Sequence, residues 1–132
     1  MKLKKTIFLM TLAALFFVSC GQKENGKETP EEVAKIFVKA FYTADFDEMY
    51  QTTVKSNRPI IQMTQKEMNK NPEKRSQMHK NEIEFQGVQC EMLNDTVAEC
   101  KCRFLYNKNN REMSVNLRKE NDNWRVDLTE NY

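Results

Sequence analysis

"EIEFQGVQCEMLNDTVAECKCRFLY", residues 82–106, decides how this chain folds. Apolar residues recur at every second position: Ile83 and Phe85, then Val88, Cys90 and Met92. The phase slips by one residue at Gly87, as an inserted β-bulge residue makes it do. Past "LNDT", Ala98, Cys100, Cys102, Phe104 and Tyr106 share one face, while Glu99, Lys101 and Arg103 take the other. A period of two with one apolar side predicts half-buried strands. "REMSVNLRKE" sends Met113, Val115 and Leu117 inward, and "NWRVDLTEN" does the same with Trp124, Val126 and Leu128. The joints "LNDT", "NKNN" and "ENDN" are turn chemistry. The second half of the chain therefore predicts a four-stranded antiparallel meander with one apolar face.

Upstream of Asn81 the period is helical. In "TPEEVAKIFVKAFYTADF", Thr29 can cap, Pro30 suits the first helical position and Glu32 completes a capping box. Val33, Ile36, Phe37, Ala40 and Phe41 then make one apolar face, with an end expected near Tyr42 or Thr43. Asp45 caps a short second helix with Phe46, Met49 and Tyr50. "NRPIIQMTQKEMNKN" and "NPEKRSQMHKN" read as two weaker, methionine-rich helices, the latter with Asn71 as cap and Pro72 first. Helices first and strands later define an α+β class, with N-terminal helices packed on a curved sheet.

The N-terminus has a different composition. Lys2, Lys4 and Lys5 precede a largely apolar run, Thr6 to Val18, shorter than the ~18 residues a membrane-spanning helix requires. This is the pattern of a secretory signal peptide, residues 1–19. "FVSC" resembles a bacterial lipobox, which implies cleavage before Cys20, lipidation of Cys20 and a membrane anchor through that lipid. The resemblance implies a cell-envelope lipoprotein, with the outer membrane as its expected seat and the leaflet left open. Residues 20–28 are then lipidated cysteine and flexible tether, and residues 29–132 a single domain. Removing the three leader lysines from 21 basic side chains leaves 18 against 19 acidic, a net of −1, so the sequence pI of about 8.3 largely belongs to the leader. Such a balance gives no support for nucleic-acid binding.

"PEEVAKIFVKAFYTADFDEMYQ", with its Ala44-Asp45-Phe46 turn, resembles the opening of the nuclear transport factor 2-like superfamily, which includes ketosteroid isomerase. "SVNLRKENDNWRVDL" is similar to the last hairpin of those folds. With the lipobox, the whole resembles small bacterial lipoproteins of uncharacterised function, some described as lumazine-binding-like. The resemblance implies a cystatin-like cone whose open end can hold an apolar ligand, lined here by Phe37, Phe41, Tyr50, Phe104 and Trp124. A filled apolar core accounts for the same aromatics.

Catalysis in related cones uses a carboxylate of raised pKa inside an apolar pocket, with a tyrosine or acid as oxyanion donor. Tyr42, Tyr50 and Tyr106 offer hydroxyls, but no inward strand position is acidic, and alternation puts Glu112 and Asp127 outside. Binding without catalysis is the expectation, of a small apolar ligand or a protein partner, and no cofactor is implied. The alternative is a small hydrolase or isomerase using a cone tyrosine. His79 lies in a charged, solvated stretch. Lys66, Lys70 and Lys74 form a solvated face diluted by Glu67 and Glu73.

Cys90, Cys100 and Cys102 are spaced C-x₉-C-x-C, which is neither a zinc nor a C-x-x-C redox pattern. A strict turn at Asn94-Asp95 sets Cys90 opposite Glu99. One extra residue, in the loop or as a bulge in the second strand, sets it opposite Cys100 within disulfide reach. A Cys90–Cys100 bridge and reduced core thiols both remain open, and either leaves Cys102 over. The outer face shows Val97 and Leu105 among charges, which leaves a dimer open.

Overall fold

The computed structural model describes residues 28–129. The leader, Cys20 and most of the tether lie outside the described residues. Helices α1 (Pro30–Thr43), α2 (Phe46–Thr52), α3 (Arg58–Met68) and α4 (Pro72–His79) precede strands β1 (Ile83–Asn94), β2 (Val97–Tyr106), β3 (Asn109–Glu120) and β4 (Asn123–Val126). The strands form one antiparallel sheet in the order β1-β2-β3-β4, so the sheet is open and the class is α+β.

Helix α1 starts where its cap chemistry dictates. Thr29 Oγ1 accepts from the Glu32 backbone N–H at 3.2 Å, and the Glu32 carboxylate accepts from the Thr29 N–H at 3.3 Å. These reciprocal bonds satisfy donors that a helix start otherwise leaves unpaired. The helix ends at Ala44, which is left-handed at φ 55° and leads directly into Asp45, the cap of α2. Asn71 caps α4 in the same way, accepting from the Lys74 N–H at 3.2 Å.

Helix α1 packs against all four strands. Its buried face is Val33, Ala34, Phe37, Val38 and Ala40. Ala34 and Val38 join this face, whereas Phe41, expected on it, is 45% exposed. From the sheet come Ala98, Cys100, Cys102, Phe104, Val115, Leu117, Trp124 and Val126, all buried. The stretch after α2 is tied to the end of the sheet: Val54 N–H donates to Val126 O at 2.9 Å, and the buried Asn57 Oδ1 accepts from the Leu128 N–H at 2.8 Å. A second brace joins the end of α1 to the sheet, with Asn81 donating to Tyr42 O and Asn107 donating to Asn81.

The β1–β2 ladder departs from ideal register twice. Phe85 pairs with Phe104 and Gly87 with Arg103, so Gln86 is the bulged residue beside the expected slip. A side chain at position 87 would put its Cβ 3.1 Å from Arg103 Nη2, and glycine leaves that room. The second shift corrects the expected turn. Asn94 pairs with Val97, so the turn is Asp95-Thr96, and the extra residue is Leu93 in the first strand, not one in the loop or in the second strand. Met92, expected inside, is 51% exposed there. The other two hairpins turn through Asn107-Lys108 and Asn121-Asp122, both residues of each pair at positive φ. That is the turn whose twist suits a two-residue hairpin, and Asn and Asp tolerate it.

Candidate functional site

Of the five aromatics expected to line a cone pocket, three are core. Phe37, Phe104 and Trp124 are at most 7% exposed and belong to one buried cluster. Tyr50 is half-buried with the Arg58 guanidinium 4.5 Å from its ring centre. Phe41 reaches an apolar cleft among the helices, and Phe37 borders a smaller recess of mixed lining against β3 and β4. The five are therefore not brought together around one space, because the side chains of α1 and the sheet fill the interior between them.

The apolar cleft lies instead among the helices. Phe41 from α1, Ala44, Phe46 and Met49 from α2, Ile60, Ile61, Thr64 and Met68 from α3, Met78 from α4, and Leu128 surround about 220 Å³. Ile61 and Met49 form its floor as buried residues, while Phe41 and Ile60, each 45% exposed, stand at its mouth. The local sequence explains the cleft. Pro59 and Asn71-Pro72 start α3 and α4 as short separate helices, and their methionines pack with less shape definition than branched residues do. The sequence hint was the alignment of Ile60, Ile61, Thr64 and Met68. That Phe41 and Leu128 meet this stripe is a tertiary fact with no local signal.

Other recesses are more polar than this cleft. One, about 660 Å³, is open and bounded by Glu31, Gln89, Glu91, Glu99 and Lys101 beside Val88 and Cys90. Another, about 150 Å³, runs beside Phe37, Met113 and Asp127. Asp127 corrects the expectation that alternation turns it outward. β4 stops at Val126, so the alternation stops with it, and Asp127 turns in to 5% exposure. Its carboxylate accepts from the Thr129 N–H and hydroxyl at 3.0 and 2.7 Å and lies 3.3 Å from Arg118 Nε. Those partners make it a structural tie between β3 and the end of the sheet.

Tyr42 is ringed by Phe41, Phe104 and Tyr106, with centroids 5.1–5.2 Å away. His79 is exposed. Among the described residues no group of three or more His, Cys, Asp or Glu is arranged to hold a metal ion, and no helix is long and apolar enough to cross a membrane.

Cys90 and Cys100 stand directly opposite each other in the ladder and are bridged, their sulfurs 1.94 Å apart. Cys102 is the free thiol among the described cysteines, fully buried. Burial pushes its pKa from the ordinary 9.0 up to about 11, against a weaker lowering by Lys35. A thiol held protonated in this way is a poor nucleophile and metal ligand.

No family model matches the chain, and no curated protein matches it either.

Proposed function

We propose that this chain is a lipid-anchored protein of the bacterial cell envelope whose nuclear transport factor 2-like domain works by binding, not catalysis. The anchor reading rests on the ordered leader pattern ending in "FVSC". Cys20→Ala should shift the protein from membrane to soluble fractions, and a mutant that stays with the membrane contradicts it.

The observation that carries the binding reading is the helical cleft. At about 220 Å³ it exceeds the ~150 Å³ of an apolar protein cavity that takes benzene, and falls short of the ~300–1,000 Å³ of pockets for whole drug-sized molecules. It suits one apolar group, a ring or a short chain, presented by a larger or otherwise polar molecule. The lining is almost wholly apolar, so desolvating such a group is the favourable term. Thr64 sits at the cleft with its hydroxyl turned back to Ile60 O at 2.9 Å. Thr64→Trp should fill the space and abolish binding of benzyl alcohol, a soluble ring-sized probe. Undiminished binding in that variant contradicts the cleft as the site.

A further inference from the structure

Helix α1 runs antiparallel to β1, and three contacts along it fix the direction. Asn81, just before β1, donates to Tyr42 O near the C-terminal end of α1. Lys35 Nζ lies over the Phe85 ring, 5.4 Å from its centre. Glu31, in the first turn, borders the same recess as Cys90. The start of α1 therefore stands beside Cys90, while β1 continues past it to Asn94. The four residues from Glu91 to Asn94 carry the strand about 13 Å further at ~3.3 Å per residue.

The corner that projects in this way is apolar. Five large apolar side chains are exposed among the described residues. Phe41 and Ile60 belong to the cleft, and Met63 stands on α3. The other two, Met92 and Leu93, are chain neighbours, 51% and 55% exposed. Met92 pairs with Ala98 but lies past the start of α1, and Leu93 is the unpaired bulge residue, so no helix covers either. The β3–β4 turn at the same end is Asn121-Asp122, which is polar, so the apolar exposure belongs to the β1 corner.

The chain itself indicates what meets this corner. Cys20 precedes Pro30, the first residue of α1, by ten positions, which span at most ~36 Å when fully extended. A lipid on Cys20 thus holds the start of α1 close to a bilayer, at the end of the domain from which Met92 and Leu93 project. So short a tether makes a second contact with that bilayer effectively intramolecular, which populates a contact too weak to form on its own. The charges select the lipid. Glu91, Asp95 and Glu99 are exposed on the stem and turn, and Lys101 is paired with Glu112 at 3.7 Å. Anionic headgroups attract basic segments and repel such carboxylates.

We propose that the corner formed by Met92 and Leu93 docks into the headgroup layer of the zwitterionic bilayer that holds the Cys20 lipid. This rests on the reading that Cys20 is lipidated.

The test uses the full lipidated chain, with methyl-labelled methionine, in phosphatidylcholine nanodiscs that carry a gadolinium headgroup lipid. Met63, 69% exposed on α3, is the control. The Met92 methyl signal should be lost while that of Met63 persists, and Leu93→Ser should restore it. Adding phosphatidylglycerol should weaken the loss, and a stronger loss overturns the zwitterionic assignment. Equal signals from Met92 and Met63, on protein whose Cys20 carries lipid by mass spectrometry, overturn the docking and leave the anchor standing. An unmodified Cys20 overturns both. Concentration-dependent shifts of Met92 in Cys20→Ala without lipid would make a second copy the occupant and also overturn the docking.

Discussion

Reduction of the Cys90–Cys100 bridge should destabilise the domain by a calculable amount. The bridged residues are separated by 10 positions in sequence. Closing a loop of that length in the unfolded chain removes entropy equivalent to about 2.7 kcal/mol at room temperature in the chain-entropy description. For a unit of about 100 residues, unfolding entropy near 0.2 kcal/mol per degree converts this into a fall in Tm of about 13 °C. Cys100 is fully buried and Cys90 half-buried, so two separate thiols also need space that the bridge does not, which adds to the loss. Calorimetry with and without reductant reads the shift. The Cys90→Ala, Cys100→Ala double variant should melt near the reduced protein and be insensitive to reductant. Coincident melts of oxidised and reduced protein would refute the reasoning. So would alkylation of Cys90 or Cys100 in denatured protein that was never reduced, since Cys102 is the free thiol among the described cysteines.

The Cys102 thiol, pushed up to about 11 from 9.0, makes stability fall with pH. Between those values the unfolded chain has released a proton that the native state still holds, so the contribution is complete below pH 9 and lost as pH rises through 11; its size is about 2–3 kcal/mol. Urea unfolding of the protein and of Cys102→Ala should therefore converge across that window, and parallel curves would contradict the assignment. Asp127→Ala should cost roughly 2 kcal/mol by freeing the Thr129 donors and the Arg118 head, against less than ~0.5 kcal/mol if Asp127 is merely a surface carboxylate. Phe104→Ala should cost about 3–5 kcal/mol, because its ring is wholly buried. Phe41→Ala should cost under ~1 kcal/mol in urea yet weaken benzyl alcohol binding, separating a core aromatic from a site aromatic.

The strands were legible because alternation reports directly on a sheet with one buried face. Ala98 to Phe104 follow it residue by residue. Alternation is blind to how many residues a turn consumes, and Leu93, an exposed apolar residue, carries no mark of being bulged. It also presumes that a strand continues, which is why Asp127 was misplaced once β4 ended at Val126. Helix starts were legible from Thr29, Asp45 and Asn71, where cap chemistry is local. The cleft was not, because it arises where four short elements and Leu128 fail to close over one another, and Phe41 looks from sequence like any other member of the α1 core face.

The central claim is that an apolar group binds in the helical cleft and not in the smaller recess beside Phe37 and Met113 against the sheet. Methionine reports on it directly, since Met49, Met68 and Met78 line the cleft and Met92 and Met113 lie elsewhere. A methyl-resolved titration of the protein with benzyl alcohol should move the first three and leave Met92 and Met113 in place. Saturable shifts at Met113 with none at Met49, Met68 and Met78 would put the site against the sheet and contradict the account.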